Sequence, residues 1–507
     1  MSALEDWLTP LYDAAGMRAA DSWAIEEQGI PSLDLMETAG IAVAEAARDV
    51  ATDGRVSVVC GKGNNAGDGL VAARHLAETG YDVQALLLWP AGELSADASS
   101  NLERFEGTTR EVGPDELRED LAGSGVIVDS IFGTGFSGTP RAPADAAIEA
   151  INASDAPVVA ADIPSGVDAS SGAVEGSAVR ADVTVSFHAA KLGHWIFPGK
   201  ERAGEVRVAD IGIPPDAPSR PAAGLIRDGV LASAPGRLPS STKFDSGEVL
   251  VVGGSRGLTG AVCMAASAAI RVGAGYATVA VPADLESIFE VKLTEVMSRG
   301  YGGAPGRLAS SSANEILAAG ERAAAVVLGP GLGRDEDSLA LARELARGIA
   351  APLLIDADGL NAHAGRLDLI AERSAPTVLT PHAGELGRLL ERESSAIGAH
   401  RLAAAREATE RSGAVVVLKG DDTIVAHGDR LAVSGGGAPA LATAGTGDVL
   451  SGTIGALLAR GLSPFVAACA GVHAHQRAGR IAAERVGAAE SVVATDVIEA
   501  LPAALST

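Results

Sequence analysis

The chain has 507 residues, 47 % of them hydrophobic but only 3 % aromatic, and 62 of them glycine. That much aliphatic material fills more than one core and excludes wholesale disorder. With 40 Lys and Arg against 65 Asp and Glu the net charge is −25, which argues against a nucleic-acid binder and against docking on anionic membranes.

Residues 1–50 read as helical: Met36, Ala39, Val43, Ala46 and Val50 recur at spacings of three and four, and Asp34 with Glu37 resembles a capping box. Residues 56–60 form a β-rich run, followed by a glycine-rich turn, 61–69, and a helical stretch, 70–79. Strand, glycine-rich turn and helix open a nucleotide-binding α/β unit. Further buried strands are expected at 83–88, 125–128 and 158–161. Pro214, Pro215, Pro218 and Pro221 then mark a seam that runs on to Pro239, because proline that dense continues neither helix nor sheet. It divides the chain near residue 224, into 1–223 and 224–507. Beyond it the opening pattern restarts with a strand at 249–252, a glycine-rich turn at 253–260 and a helix at 261–272. Strands at 276–281, 324–328, 353–355, 377–379 and 415–418 follow. Short apolar strands alternating with helices predict two α/β domains, each a mostly parallel sheet covered on both faces.

In such a sheet the loops at the carboxyl ends of the strands converge on one crevice. In the first half these loops carry Asn64, Asn65 and Asp68, then Asp129, then Asp162 and Ser165. Two amides and a carboxylate in five residues of a glycine-rich turn exceed what a solvated turn requires. Asn65, Asp129 and Ser165 would meet as oxygen ligands for a cation, and one carboxylate among so few ligands suits a monovalent ion better than magnesium. Asp162 and Lys191 are the acid/base candidates. Lys191 closes an apolar segment, where burial would lower its pKa toward neutral; an ordinary salt bridge is the alternative.

Met36 to Gly40, Asn64 to Gly69, Asp129 with Gly133-Thr134-Gly135, Asp162 to Gly166 and Phe187 to Lys191 together resemble the NAD(P)H-hydrate epimerase family over residues 10–215. The resemblance implies a Rossmann-like, three-layer α/β/α fold that binds hydrated NAD(P)H with K+ nearby. It implies substrate contacts from Asn64, Asn65, Ala66, Gly67 and Asp68, from Gly133, Thr134, Gly135, Phe136, Ser137, Gly138 and Thr139, and from Asp162. It gives Asn65, Asp129 and Ser165 to the potassium ion. The family usually has Gly where Ala66 stands and Asn where Thr38 stands.

In the second half the sharpest motif is the run 440–452, in which glycines and threonines precede Asp448 and a helix follows. The N–H groups of that helix start would hold a transferring phosphate while Asp448 accepts a proton from a hydroxyl; a plain helix cap is the alternative. Loops 329–333, 356–361, 380–385 and 419–423 each follow a predicted strand and would ring the same crevice. Together they resemble the ADP/ATP-dependent NAD(P)H-hydrate dehydratase family, which is ribokinase-like, over residues 236–505. The resemblance implies that Ala261, Gly331, His382 and Asp448 contact the hydrated dinucleotide, and that Lys419, Gly420, Asp421, Asp422, Thr423 and Gly447 contact the adenine nucleotide. At its start the family often has His-Lys-Gly, where this chain has Thr242, Lys243 and Phe244. His473 and His475 lack a third metal ligand and are read as structural.

The two resemblances fit one task, repair of a hydrated nicotinamide cofactor. The first half would interconvert the R and S hydrates with Asp162 and Lys191 as proton carriers. The second would dehydrate the S form while ADP becomes AMP and phosphate, with Mg2+ expected from nucleotide chemistry. The expected partners are NADH hydrate, NADPH hydrate and ADP, with no nucleic acid and no membrane; a homo-oligomer is allowed. The rival reading is a ribokinase-like small-metabolite kinase fused to a dinucleotide-binding sensor. Cys60, Cys263 and Cys469 are odd in number and dispersed, which suits a reducing cytoplasm, and no signal peptide or membrane span is evident. Only six cations are lysines, and an acidic, Lys-poor surface suggests a salt-rich, halophilic setting.

Overall fold

Valine-rich and alanine-rich runs alternate along the chain, and in the computed structural model, which describes residues 4–506, the first become strands and the second helices. A short strand, β1 (Leu8–Leu11), precedes helices α1 (Ala14–Glu26) and α2 (Ser32–Val50). The region expected to be helical throughout is therefore interrupted. Pro31 occupies the N-cap of α2 without a side-chain hydrogen bond, which puts Asp34 inside the first turn. The Asp34–Glu37 capping box does not form; Glu37 instead meets Arg74 at 2.5 Å and His75 at 2.6 Å on α3 (Asn64–Glu78).

The first sheet contains β2 (Arg55–Cys60), β3 (Val83–Leu87), β4 (Thr108–Glu111), β5 (Ser124–Ser130), β6 (Val158–Ala161), β7 (Val183–Phe187) and β8 (Glu205–Ala209). Their order is β4-β3-β2-β5-β6-β7-β8, with every pairing parallel. One apolar layer, including Val43, Val58 and Leu70, packs α2 and α3 on one face. Another, including Leu117, Ile127 and Ile148, fills the opposite face. The winding direction reverses between β2 and β5, so the loops after these two strands flank the natural ligand crevice of the sheet.

The second sheet has β9 (Ala223–Ile226), β10 (Glu248–Val252), β11 (Tyr276–Pro282), β12 (Met297–Tyr301), β13 (Ala325–Leu328), β14 (Leu353–Ile355), β15 (Thr377–Leu379), β16 (Val415–Leu418), β17 (Ile424–His427) and β18 (Arg430–Val433). Its order is β1-β9-β18-β17-β16-β15-β14-β13-β10-β11-β12. Strands β10 to β16 are parallel, whereas β16–β17 and β17–β18 are antiparallel, because their connections are too short for a crossover. The winding reverses between β10 and β13. Scarcity of rings is matched by close helix packing: a Cβ on Gly452 would lie 1.9 Å from the Ala265 carbonyl oxygen, so helix Thr446–Ala459 sits directly on helix Thr259–Arg271.

Two compact units result, one of Pro10–Ala223 and one of the residues up to Thr9 with those from Gly224 onwards. The proline seam predicts a first domain of all of 1–223, but the leading residues belong with the second because β1 joins its sheet and Leu8 packs under Gly224. Among the described residues no helix is long and apolar enough to cross a membrane.

Candidate active sites

At the carboxyl ends of β2, β5 and β6 lies a cavity of about 620 Å³, closed from the side by α1 and α2. Gly61, at the end of β2, is there because a Cβ would lie 2.0 Å from the Ile131 carbonyl oxygen. Helix α3 then starts at the cavity with Gly63 as its N-cap and no side-chain cap, so its first N–H groups stay available for an anion. Of the residues named from the sequence, Asn64, Asn65, Asp68, Gly133, Thr134, Gly135, Phe136 and Asp162 line the cavity. Ala66 and Gly67 are buried in α3, where the Ala66 methyl belongs to the core and Gly67 packs on Met36. Ser137, Gly138 and Thr139 continue the loop beyond the cavity wall.

Asp162 has φ +69°, a left-handed conformation that a non-glycine residue rarely holds. Its Oδ1 accepts from Lys191 Nζ at 2.5 Å, and its Oδ2 accepts from the Thr134 N–H at 2.9 Å and from the Thr134 hydroxyl. Burial alone would raise this carboxyl, but the Lys191 charge and these hydrogen bonds outweigh burial and hold it below its ordinary value. Lys191 is 0 % exposed and does not reach the cavity wall. Its other donors go to Ser186 Oγ and the Phe187 carbonyl, each at 2.9 Å. His194 Nε2 lies 3.1 Å from the Asp162 carbonyl, and burial, then the Lys191 charge, push this imidazole down to about 3, so it stays neutral.

Two acidic groups complete the wall. Burial, then the charges of Asp162 and Asp21, raise Asp68 well above its ordinary value. Burial, then Asp162, push Asp21 up to about 6. Asp21, with Met17 and Arg18, comes from α1 and was missed from the sequence. The available signal was an acid beside the buried Met17, Ala20 and Ala24 stripe of an amphipathic helix.

Asp129 and Ser165 do meet. Asp129 accepts from Ser165 Oγ at 2.6 Å, from the Ser165 N–H at 2.8 Å and from the Ile131 N–H at 3.2 Å. Asp129 is fully buried and pushed up to about 6 by burial, which only hydrogen bonds from Ser165 and Ile131 oppose, not a basic side chain. Asn65 is nearly buried and its Nδ2 lacks a hydrogen-bond partner. An all-oxygen set with a buried carboxylate lacking a counter-charge fits a monovalent cation.

In the second unit, helix Thr446–Ala459 starts behind Gly445, again without a side-chain cap. Asp448 sits in its first turn, pushed up to about 7 by burial and then by Asp356, with Lys419 opposing. Lys419 Nζ is 3.0 Å from Asp356 Oδ1 and 3.7 Å from Glu385 Oε2, and a Cβ on Gly447 would lie 3.6 Å from it. Ser451 donates to the other Asp356 oxygen at 2.7 Å. Burial would lower Lys419, but Asp356 and Glu385 raise it, so it stays cationic. Ala261 and Gly331 are neighbours, since a Cβ on Gly331 would lie 3.3 Å from the Ala261 Cβ. His382 caps helix Ala383–Leu390 by accepting from the Gly384 and Glu385 N–H groups, and burial lowers its pKa.

Beside Lys419 opens a cavity of about 490 Å³ lined by Gly420, Asp421, Thr423, Thr446 and Gly447, with Leu441, Leu450 and Val472 as apolar wall. Asp422 is not on that wall: its carboxylate is buried against Arg401 at 2.8 Å and supports the loop from behind. Nor do Ala261, Gly331, His382 and Asp448 line it. His473 pairs with Asp228 at 2.6 Å. His475, read as structural, lines the cavity with its Nε2 buried and unpartnered, and burial pushes it down to about 4. Among the described residues no group of three or more His, Cys, Asp or Glu stands ready for a metal.

Two family models match the chain: NAD(P)H-hydrate dehydratase over residues 249–503, and YjeF-related protein N-terminus over residues 32–193. The bifunctional NAD(P)H-hydrate repair enzyme Nnr of Salinibacter ruber is 41 % identical, covering 97 % of this chain and 95 % of its own length. The enzyme of the same description from Moorella thermoacetica is 38 % identical, with 97 % and 96 % covered. Among solved structures, the ADP/ATP-dependent NAD(P)H-hydrate dehydratase of Bacillus subtilis, co-crystallised with ATP/Mg2+, is 26 % identical over 54 % of this chain and 94 % of its own, with a TM-score of 0.47.

Proposed function

Since the chain belongs to the family of bifunctional NAD(P)H-hydrate repair enzymes, an epimerase joined to a dehydratase, we propose that its two units divide the repair between them. The unit Pro10–Ala223 interconverts the R and S forms of NADH and NADPH hydrate. The unit from Gly224 onwards dehydrates the S form to NAD(P)H as ADP becomes AMP and phosphate.

The observation that carries the second assignment is Asp448, a carboxyl held up to about 7 on an uncapped helix start opposite cationic Lys419. Hydroxide is a poor leaving group from the ring carbon, and phosphate is a good one. Asp448 takes the hydroxyl proton, the oxygen attacks the terminal phosphorus of ADP, and AMP leaves. The helix N–H groups and Lys419 hold the transferring phosphate. The ring nitrogen then expels phosphate, and the neighbouring carbon gives up a proton to restore the dihydronicotinamide. Asp356 and Asp358 are engaged by Lys419, Ser451 and Arg334, so Mg2+ would arrive on the nucleotide phosphates and neutralise part of their charge.

In the first unit, Asp162 faces the ligand and sealed Lys191 fixes its charge, so Lys191 acts as a positioning residue rather than a proton carrier. K+ would be held by Asn65, Asp129 and Ser165, where it would supply the missing counter-charge.

The test is incubation of the full chain with ADP and separated R and S hydrates. NADH absorbance returns from the S form with one AMP and one phosphate each, and R is consumed faster than it epimerises spontaneously. Phosphorylation of a small alcohol with no return of NADH would establish the kinase reading instead.

A further inference from the structure

On the reading that Pro10–Ala223 is the epimerase unit, the pair of proton carriers named from the sequence leaves a gap. Lys191 sits behind Asp162, off the cavity wall, with its donors directed to Asp162, Ser186 and Phe187. Asp162 has both oxygens occupied by Lys191 and Thr134. Neither group is placed to give a ligand a proton and take it back. Two more carboxyls face the same cavity, Asp21 from α1 and Asp68 from α3, and neither makes a side-chain hydrogen bond to a described residue. Asp68 is only 8 % exposed, so an unpartnered, nearly buried carboxyl points into this cavity. Asp21, Asp68 and Asp162 thus share one space with the half-buried Asp97, while the one buried cation among the described residues near them, Lys191, is already matched by Asp162. Asp21, Asp68 and Asp162 act on one another through space, and like charges in a low dielectric do not all ionise together.

We propose that Asp21 is a further catalytic residue of the epimerase site: the acid that protonates the departing hydroxyl and the base that recovers the proton when water returns. Its surroundings suit that cycle. Asp68, held well above its ordinary value, favours its protonated form, in which it would donate to a bound ligand; Asp162, held below its own, favours the anion; Asp21, at about 6, changes state near neutrality. Facing Asp21 are Asp68, Asp162 and Lys191, with Arg18 on its own helix and Lys62 and Asp97 on the cavity wall.

The step balances without a further reactant. The Asp21 carboxyl gives its proton to the hydroxyl on the carbon beside the ring nitrogen. The C–O bond breaks, its electron pair leaves with water, and the nitrogen lone pair forms a C=N+ bond. Asp162 and the new Asp21 carboxylate stabilise that cation. Water adds to the opposite face, a C–O bond forms, the nitrogen recovers its pair, and the surplus proton returns to Asp21. Only the configuration has changed.

The experiment follows R-to-S conversion by chromatography, using the full chain without ADP. Asp21→Asn lowers the rate at least about 100-fold and removes the limb of the pH profile that the wild type shows near pH 6, while S-form dehydration with ADP is unchanged. Asp21→Glu, which keeps a carboxyl, recovers part of the loss. In oxygen-18 water the wild type incorporates label into the hydrate as it epimerises. An Asp21→Asn rate within about threefold of wild type overturns the proposal, as does Asp21→Glu without recovery, or epimerisation without label. A wild-type chain that fails to outpace spontaneous conversion overturns the epimerase reading itself.

Discussion

Replacing Asp448 with Asn removes the proton acceptor proposed for dehydration and keeps nearly the same side-chain shape. Loss of a positioned general base costs about 10²–10⁴ in rate, or about 3–5 kcal/mol of transition-state stabilisation. The pH profile gives a sharper readout than the rate. Burial and Asp356 hold Asp448 up to about 7, so its base form is lost on acidification well before that of an ordinary carboxyl. At about one pH unit below that value only about a tenth of the enzyme carries the base, and kcat for the S hydrate falls about tenfold from its plateau. Asp356→Asn supplies the internal check. It removes the neighbouring charge that raises Asp448 most and frees Lys419 from its 3.0 Å partner. Both changes favour the ionised base, so the acid limb moves to lower pH. The assay is steady-state formation of NADH from the purified S hydrate and ADP across the neutral range. An Asp448→Asn chain that keeps the wild-type limb at more than about a tenth of the wild-type rate would refute the assignment, and so would an Asp356→Asn limb displaced upward.

Three further outcomes follow from the geometry. Lys191→Met breaks a buried pair and costs the first unit about 3–5 kcal/mol, read by urea unfolding. The depressed Asp162 contributes stability present above its unfolded value of 3.8 and lost as pH falls through its folded value, so the variant also lacks that acid-side dependence. Gly452→Ala puts a methyl 1.9 Å from the Ala265 carbonyl, forces two core helices apart, and lowers the denaturant midpoint of the second unit by about 1–3 kcal/mol or more in equivalent stability. His475→Phe removes the unpartnered imidazole nitrogen from the cavity proposed for the nucleotide and raises KM for ADP up to about tenfold with kcat held; an unchanged KM would return His475 to a packing role.

The parallel cores were legible because strands such as β10 and β16 carry uninterrupted valine-rich and leucine-rich runs with glycine within two residues of each end, a signature that needs no tertiary context. Several strands that the sequence does not announce lack it, although β7 and β9 are fully buried and β9 forms inside the proline-rich seam. Thr108–Glu111 is exposed along its whole length, Glu205–Ala209 is at an edge, and β17 with β18 is a polar-flanked hairpin. The sites divide in the same way. Loops carried by glycine and fixed by strand ends announced themselves, whereas Asp21 did not, because its role depends on which way α1 faces and that is set by packing. Asp422 shows the converse: its place in a glycine-rich loop suggested a ligand contact, yet its side chain turns inward to neutralise Arg401.

A chain of net charge −25 that must hold anionic ligands solves the problem twice by the same local means. Both α3 and Thr446–Ala459 begin behind a glycine with no side-chain cap, so unsatisfied N–H groups are placed to meet an anion, joined in the second unit by Lys419. Each helix also carries an acid near its start, Asp68 and Asp448, where the helix dipole should favour the anionic form. Both nevertheless titrate high, because burial and neighbouring carboxylates outweigh the dipole. A carboxyl that titrates high carries less negative charge near neutrality and so lessens the like charge an incoming phosphate meets, while the ionised fraction of Asp448 remains to act as base. The abundant surface carboxylates therefore bear less on either site than the few buried ones, and the raised titration of Asp68 and Asp448 eases the approach of acidic substrates to an acidic protein.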